Sequence, residues 1–369
     1  MQKIINGKES YKQIGNVLKE KDVKKFMLVC RPSFFKLGLK DYFDNIGIPC
    51  VYFTDFTVNP KYEEICLGVD IFNSEACDAI VAVGGGSAID VAKCIKVFST
   101  MPKGEIYYEQ PLKNNEIPLL AVPTTAGTGS ESTRFSVFYN YGEKQSIGPE
   151  YLVPDYAFLD ATLLYSLPEY QKKCTLLDAL CQAIESWWSV NSNEESIGYA
   201  KIAVEKIIAN YKGYIFDNDL EATEEIMLGS NYAGRAINIT ATTSAHAMSY
   251  KMTTLYGIPH GHAVGVGLPH IWEFMNNNTD KCIDKRGKEH IVKIFSDIAV
   301  SLGGKTAEDG VAIFKALLSE IGIEGPKASK EELKILASSV NTGRLKNNPV
   351  ELTYETLYNL YSLITKNDA

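Results

Sequence analysis

Four of the chain's five histidines lie close together in the sequence, and imidazole is the side chain best suited to bind a transition metal. The four are His246, His260, His262 and His270. His246 lies in a segment of helical character, whereas His260 stands between a proline and a glycine, so we expect the two side chains to come from different backbone elements. Imidazoles that converge from different elements can enclose a metal ion. A single histidine in an apolar segment is more often a buried structural residue, so the prediction depends on the clustering.

An acidic residue upstream could complete such a site. Asp178, Cys181, Gln182 and Glu185 follow the i, i+3, i+4, i+7 spacing that places side chains on one face of a helix. A carboxylate at Asp178 would add an anionic ligand to two imidazoles. The residues by themselves leave open whether this face binds an ion or packs into a core.

A glycine-rich turn in the N-terminal half could bind phosphate groups. The apolar stretch 79–83 runs directly into Gly84–Ser87, and a helical segment begins near Ala88. Glycines let the backbone approach a ligand closely, and the N–H groups at a helix N-terminus attract anions. The turn therefore favours a pyrophosphate, although it lacks the G-x-G-x-x-G spacing and a tight turn without a ligand is the alternative.

A second polar segment follows the next apolar stretch. PTTAGTGSE, residues 123–131, places four hydroxyl groups and two glycines directly after the apolar stretch 119–122. Open parallel sheets bind their ligands at the carboxyl ends of their strands. Together the two polar segments predict one cofactor site at a sheet edge, with an ordinary Ser/Thr turn as the alternative.

The arrangement of elements predicts two domains. Residues 1–165 alternate short apolar stretches with amphipathic ones, which indicates an α/β dinucleotide-binding domain with a parallel sheet and helices on both faces. The strands expected there are 25–30, 49–54, 79–83 and 119–122, and the helices between them include 34–46 and 62–73. Residues 166–369 predict an all-α domain. Its expected helices are 171–190, 194–212, 220–238, 241–256, 288–302, 309–322, 330–340 and 351–365.

Composition excludes several classes of function. The 369 residues are 45% hydrophobic and 22% charged, as in globular proteins, and the net charge of -8 argues against a nucleic-acid partner. No apolar run approaches the roughly 20 residues that a membrane-spanning helix needs, and the N-terminus lacks an apolar signal segment. The eight cysteines form no CxxC pair, which is typical of reduced thiols. We therefore expect a cytoplasmic protein without a nucleic-acid or membrane partner.

Four motifs in a fixed order resemble a known family. GGGSAIDVAK (84–93), PTTAGTGSE (123–131), LLDALCQAIE (176–185) and HAMSYKMTTLYGIPHG (246–261) resemble the iron-containing, group III alcohol dehydrogenases. The resemblance runs essentially end to end and implies the dehydroquinate synthase-like fold of that family. It also implies hydride transfer between NAD(P)H and an aldehyde or alcohol, with the metal and substrate in the cleft between the two domains.

The resemblance also implies a set of site residues. Those that would line the cofactor pyrophosphate are Gly85, Gly86, Ser87 and Asp90. Those that would hold the other phosphate and ribose groups are Asn59, Thr124, Thr125, Thr128 and Lys144. The implied metal ligands are Asp178, His246 and His260, with Gln182 as a further candidate.

Departures from the family pattern sharpen these expectations. Gln182 and Tyr250 stand where family members usually carry histidines. The metal could therefore be Zn2+ on three protein ligands instead of Fe2+, and an enzyme without a metal is a further alternative. Arg31 follows the strand 25–30, where NAD-preferring members carry an acidic residue, so NADPH is favoured over NADH.

The segments around Gln182 and Tyr250 resemble the phosphonoacetaldehyde reductase branch. A cation beside the metal would bind a phosphonate, and the candidates are Lys251 first and Arg134 second. Tyr250 or His262 could supply the proton. We therefore predict a homodimeric, NAD(P)H-dependent reductase of a small anionic aldehyde, with phosphonoacetaldehyde and 2-hydroxyethylphosphonate as substrate and product. A dehydrogenase of neutral short-chain alcohols or diols and a dehydroquinate synthase-like lyase are the alternatives.

Overall fold

The computed structural model describes residues 2–367 of the chain. Its Cα positions divide into two compact units, one ending at Leu167 and the other beginning at Pro168. No helix in the described part of the chain is both long and apolar enough to cross a membrane.

A parallel sheet forms the centre of the N-terminal unit. The strands of this unit are β1 (Lys3–Asn6), β2 (Phe26–Cys30), β3 (Cys50–Phe53), β4 (Ala79–Gly84), β5 (Leu119–Pro123), β6 (Ser136–Asn140), β7 (Glu143–Ile147) and β8 (Tyr156–Leu159). Six of them form the sheet in the order β1-β8-β5-β4-β2-β3, and β6 and β7 form a separate antiparallel hairpin. All residues of β2, β5 and β8 are buried, as expected for parallel strands covered on both faces. The structure confirms the predicted α/β class.

Four α-helices of the N-terminal unit lie between these strands. They are α1 (Ile14–Glu20), α2 (Lys40–Asp44), α3 (Tyr62–Ser74) and α4 (Gly86–Phe98). The predicted helix over 34–46 was wrong, since a 3-10 helix over Pro32–Lys36 and the short α2 take its place. Gly38 separates the two with a φ of 71°, a left-handed conformation that interrupts a right-handed helix.

The sheet order places the segments that follow β2, β4 and β5 at one edge of the sheet. In the sheet register, Cys30 of β2 lies beside Val83 of β4, and Gly84 of β4 lies beside Pro123 of β5. Because all three strands are parallel, the segments that follow them emerge at the same edge. The residue after β2, the glycine turn after β4 and the threonine segment after β5 are therefore neighbours.

The C-terminal unit is built almost entirely of helices. They are α5 (Glu169–Trp188), α6 (Glu194–Lys212), α7 (Leu220–Thr240), α8 (Ser244–Tyr256), α9 (His260–Asn277), α10 (Lys288–Ser301), α11 (Ala307–Glu320), α12 (Lys330–Ser338), α13 (Thr342–Leu345) and α14 (Tyr354–Ile364). Two short strands, β9 (Lys327–Ala328) and β10 (Lys366–Asn367), add a parallel ladder that the sequence did not predict. Helix α5 is the central one, because every residue from Cys174 to Trp188 is buried.

Candidate metal centre and cofactor segments

Three side chains from three helices of the C-terminal unit meet at one point. Asp178 lies on α5, His246 on α8, and His260 is the first residue of α9. One ligand atom from each lies within 4.8 Å of the others. The Nε2 atoms of His246 and His260 lie 3.3 and 3.9 Å from Oδ1 of Asp178. The structure thus brings together the three residues that the resemblance implied as metal ligands.

A glycine next to His260 allows this close approach. A Cβ atom on Gly261 would lie 1.9 Å from the carbonyl oxygen of Cys174 and 2.9 Å from Cβ of Asp178. One turn later, a Cβ on Gly265 would lie 2.8 Å from Leu177. The contact with backbone at Gly261 excludes any side chain there, whereas at Gly265 the Leu177 side chain would have to shift. The two glycines therefore let the first turns of α9 lie directly against α5.

Glu185 determines which nitrogen of His246 faces the cluster. Its carboxylate is fully buried and accepts hydrogen bonds from the Thr243 hydroxyl and the Ala245 amide, each at 2.7 Å. It also bonds Nδ1 of His246. A carboxylate can only accept, so Nδ1 carries a proton and Nε2 is the nitrogen that faces Asp178. Glu185 lies seven residues after Asp178 on the same helix face.

Ser249 determines which nitrogen of His260 faces the cluster. Its buried hydroxyl donates to the backbone oxygen of His246 at 2.8 Å and lies 3.1 Å from Nδ1 of His260. A serine hydroxyl has one hydrogen to donate, so toward His260 it accepts. Nδ1 of His260 then carries the proton, and Nε2 is the nitrogen that faces Asp178. Glu185 and Ser249 were not assigned a role from the sequence.

The electrostatics of the cluster favour a positive charge. Burial opposes the ionisation of Asp178, but the hydrogen bond from His246 and the charge of His260 outweigh it and lower the pKa of the carboxyl. Burial also opposes protonation of His246, yet the Glu185 and Asp178 carboxylates raise its pKa to about 9. Two buried carboxylates around two imidazoles therefore hold excess negative charge that a cation would neutralise.

The donor set fits a divalent transition metal. One carboxylate and two imidazoles that present Nε2 are the ligand types that Zn2+ and Fe2+ accept, and three protein ligands leave positions open. Binding of a cation would displace the proton on Nε2 of His246. The side chain of Gln182, also buried, hydrogen-bonds to Asp178. An amide in this position can hold the carboxylate toward the two histidines.

The other predicted catalytic residues lie in different surroundings. The ring of Tyr250 stacks on that of His260, with centroids 5.7 Å apart and planes at 12°. Lys251 is five residues after His246, and helix geometry places it about 140° around the axis from that ligand. Arg134 belongs to the N-terminal unit, where its guanidinium lies 3.6 Å from the Glu150 carboxylate.

His262 has both ring nitrogens engaged inside the helical unit. Its Nε2 lies 2.8 Å from the backbone oxygen of Glu324, which can only accept, so this nitrogen carries the proton. Its Nδ1 then accepts from the Tyr170 hydroxyl at 2.8 Å. Neither nitrogen is left for a substrate, and the expectation that His262 supplies a proton has no support in this geometry.

The two polar segments of the N-terminal unit contact each other as the sequence predicts. A Cβ on Gly85 would lie 3.1 Å from Oγ1 of Thr125, and one on Gly86 would lie 3.0 Å from Oγ1 of Thr128. The amide of Thr124 donates to the Gly84 oxygen at 3.0 Å. The glycine turn and the threonine segment therefore form one continuous surface at the N-terminus of α4.

The remaining predicted cofactor residues border this surface. The backbone N–H of Asn59 donates a hydrogen bond to Oγ of Ser87 at 3.4 Å. Arg31 directly follows β2, next to the glycine turn, and its Nε atom is buried without a hydrogen-bond partner among the described residues. The Asp90 carboxylate accepts from the Ser130 hydroxyl at 2.6 Å and is close enough to Lys144 to feel its charge.

A buried lysine that the sequence did not single out ties these segments together. Lys93 on α4 is 0% exposed. Its ammonium donates to the Ser130 hydroxyl at 3.0 Å, the Thr133 hydroxyl at 3.3 Å and the Phe135 oxygen at 2.7 Å. Three acceptors match the three donors of an ammonium group. Lys93 therefore fixes the chain that follows β5 onto α4.

Comparison with known families decides the identity of this fold. Residues 1–161 match the family described as "Iron-containing alcohol dehydrogenase", and residues 173–365 match the region described as "Fe-containing alcohol dehydrogenase family, C-terminal". The chain belongs to the iron-containing alcohol dehydrogenase family. This confirms the resemblance carried by the four motifs, and with it the prediction of an oxidoreductase.

Several known proteins are similar to this chain over most of their length. The probable alcohol dehydrogenase EutG of Escherichia coli is 31% identical over 336 residues, which cover 86% of this chain and 78% of that protein. The phosphonoacetaldehyde reductase of Streptomyces viridochromogenes is 30% identical over 299 residues, covering 76% and 74%. The crystal structure of sulfoacetaldehyde reductase from Bifidobacterium kashiwanohense in complex with NAD+ gives a TM-score of 0.89 at 28% identity, covering 98% and 96%.

Proposed function

We propose that this family member reduces phosphonoacetaldehyde to 2-hydroxyethylphosphonate with NADPH, at a site that holds Fe2+ or Zn2+. The observation that supports an aldehyde reductase most directly is the convergence of Asp178, His246 and His260, with ligand atoms within 4.8 Å of one another. The anionic substrate is supported by two relatives, which are named for phosphonoacetaldehyde and sulfoacetaldehyde. Both compounds are two-carbon aldehydes that carry an anionic group.

The chain's own residues have distinct roles in this proposal. Asp178, His246 and His260 hold the ion, which when bound supplies Lewis-acid polarisation of an aldehyde oxygen, while NADPH supplies the hydride. Glu185 and Ser249 keep the two imidazoles in the coordinating tautomer. The phenol of Tyr250 is the candidate proton donor for the new hydroxyl group, because its ring lies directly on His260.

The N-terminal unit supplies the cofactor site in this proposal. The glycine turn and the threonine segment present backbone amides and hydroxyls at the N-terminus of α4, where the helix dipole favours a pyrophosphate. Arg31 lies at the end of the adjacent strand, where its guanidinium can bind a 2'-phosphate in a bidentate manner. This arrangement favours NADPH over NADH.

A cofactor-oxidation assay tests the proposal. Purified protein is supplied with Fe(II), Zn(II) or neither, and NADPH consumption is followed with phosphonoacetaldehyde and with butyraldehyde. We expect metal-dependent turnover with a higher kcat/KM for phosphonoacetaldehyde. Turnover of that substrate without net NADPH oxidation would indicate a lyase and contradict the proposal, as would equal rates with and without metal.

Reduction or oxidation of neutral substrates is the second candidate. The similarity to EutG, a probable alcohol dehydrogenase, favours it, as does the position of Arg134, whose charge is already paired with Glu150. The same assay separates the two candidates, because a neutral-substrate enzyme would show the higher kcat/KM with butyraldehyde.

A further inference from the structure

A cation that the sequence analysis did not assign lies one tyrosine ring from the metal-ligand cluster. The guanidinium carbon of Arg344, on α13, lies 5.6 Å from the centroid of the Tyr250 ring. That ring stacks on His260 with centroids 5.7 Å apart. Arg344 and a candidate metal ligand therefore contact the same tyrosine.

Two asparagines fix the segment that carries Arg344. The Asn347 amide donates to the Thr242 oxygen at 3.2 Å, and the buried Asn348 accepts from the Ser244 hydroxyl at 2.7 Å. Ser244 is the first residue of α8, the helix that carries His246. The segment is thus hydrogen-bonded to the N-terminal end of α8, the helix that carries His246. These bonds hold Arg344 in its position next to Tyr250.

The guanidinium of Arg344 makes no ion pair with the residues that the structure describes. Among residues 2–367, no carboxylate lies within ion-pair distance of its guanidinium, whereas Arg134 pairs with Glu150 and Arg286 with Asp284. Arg344 is also only partly exposed. A half-buried guanidinium without a carboxylate keeps its planar set of N–H donors available for an anion from outside the protein.

We propose that Arg344 binds the anionic group of the substrate, a phosphonate or sulfonate on the carbon next to the aldehyde. The inference rests on the proposed function and names the residue that would recognise its substrate class. In a two-carbon aldehyde the anionic group lies only a few ångströms from the carbonyl oxygen, so its cation must stand beside the metal ligands. Arg344 stands one tyrosine ring from His260, and its planar donor set matches two oxygens of either anion.

Four variants compare Arg344 with the other cations of this region. Arg344→Met removes the charge, Arg344→Lys keeps it but loses the bidentate geometry, and Lys251→Met tests the cation predicted from sequence. Lys346→Met is the matched control, because Lys346 is exposed and lies two residues from Arg344 in the same segment. Each metal-loaded variant is assayed with phosphonoacetaldehyde, sulfoacetaldehyde and the neutral propionaldehyde, and binding of 2-hydroxyethylphosphonate to the enzyme with oxidised cofactor is measured by calorimetry.

We expect Arg344→Met to lower kcat/KM for the anionic aldehydes about 10- to 100-fold, the range for loss of charge-assisted hydrogen bonds, and to weaken binding of the phosphonate product by a similar factor. Turnover of propionaldehyde should change by less than about threefold. Arg344→Lys should recover part of the loss, and Lys346→Met should match the wild type. A larger defect with phosphonoacetaldehyde than with sulfoacetaldehyde would identify the dianion as the preferred group.

Three results would overturn the inference. Equal losses on anionic and neutral aldehydes would show that Arg344 only supports Tyr250. If the wild type prefers anionic aldehydes and Arg344→Met keeps that preference, the role of Arg344 is contradicted while the proposed function stands. If Lys251→Met instead loses the preference for anionic aldehydes, the role belongs to Lys251. A wild type that prefers propionaldehyde would overturn both the proposed function and the inference.

Discussion

The Glu185 carboxylate controls the coordinating nitrogen of His246, and replacing it with an amide should reverse that control. In Glu185→Gln the side-chain oxygen can still accept from Thr243 and Ala245, but the NH2 group then faces Nδ1 of His246. Two donors cannot face each other, so the ring must expose a protonated Nε2 to the metal. We expect metal affinity to fall about 10- to 100-fold, measured by competition with a chromophoric chelator.

The matched control is Glu194→Gln, which makes the same chemical change at an exposed position at the start of α6. It should bind metal as the wild type does. Folding of both variants is checked by circular dichroism. A folded Glu185→Gln protein with unchanged metal affinity would show that Glu185 does not select the tautomer.

Ser249 should matter less than Glu185, because its bond to His260 is between neutral groups. Ser249→Ala removes the acceptor for Nδ1 of His260 and leaves a partly exposed imidazole that water can reach. Loss of one neutral hydrogen bond costs about 1 kcal/mol, which corresponds to roughly fivefold in metal affinity. The same chelator competition measures it. A loss as large as that in Glu185→Gln would show that Ser249 supports the helix and not only the ring.

The sequence could supply the candidate ligands but not the residues that orient them. Asp178, His246 and His260 are recognisable because metal chemistry restricts the residue types and the motifs fix their order. Glu185 lies on the same predicted face as Asp178, yet its partner stands 61 residues later. Nothing in a linear pattern states which helix that face will meet, so a tautomer-setting contact is visible only in the folded chain.

The packing of α9 against α5 depends on the absence of a side chain at position 261. Gly261→Ala would place a methyl group 1.9 Å from the Cys174 oxygen, so the first turn of α9 must move and carry His260 away from Asp178. We expect a destabilisation of about 1–3 kcal/mol or more and loss of metal binding. Gly267→Ala on the same helix is the control, because its Cβ would meet nothing closer than 3.7 Å. Chemical denaturation and metal titration of both variants test this, and normal metal binding by Gly261→Ala would contradict it.

The same residues explain why α9 was absent from the predicted helices. The stretch contains Gly261, Gly265, Gly267 and Pro269, all of which lower helix propensity. In the structure the first two glycines are needed for contact with α5. Strong periodicity predicted helices such as 194–212 correctly, whereas tertiary packing overrides local propensity in the helix that begins at His260. Elements shaped by close contact are therefore the ones that local patterns miss.

Lys93 gives the N-terminal unit a pH dependence that can be measured. Burial lowers its pKa to about 8, an effect that Asp90 and Glu131 oppose. The unfolded chain, in which lysine titrates near 10.5, then binds more protons than the native protein between these values. The free energy of unfolding should therefore rise with pH across that window. Lys93→Met should flatten the rise and, since it frees the segment after β5, raise the KM for NADPH.

The control for this prediction is Lys113→Met, which makes the same change at an exposed position. Urea unfolding is compared between variants from pH 7.5 to about 10. Tyrosines and cysteines also titrate in this range, but they contribute equally to each variant, so their effect on the free energy of unfolding cancels in the comparison. An unfolding free energy of Lys93→Met that rises as steeply as that of the wild type would show that the ammonium does not lose its proton in this window.

At the scale of the whole molecule, the candidate metal centre and the candidate cofactor surface each belong to one compact unit. We therefore expect the metal and the cofactor to bind, and to stabilise the protein, independently of each other. A ligand that binds only the folded state adds RT ln(1 + [L]/Kd) to the free energy of unfolding, about 2.7 kcal/mol at 100 times Kd.

Zn(II) should raise the Tm of the wild type, and chelation should reverse that rise. His246→Ala should lose this response but keep its affinity for NADPH. Gly86→Ala, whose Cβ would lie 2.9 Å from Thr128, should lose NADPH affinity and keep the response to Zn(II). Scanning calorimetry and cofactor fluorescence measure both. If either variant lost both the Tm response to Zn(II) and the affinity for NADPH, the two sites would not be independent, because unfolding of one unit would then also unfold the other.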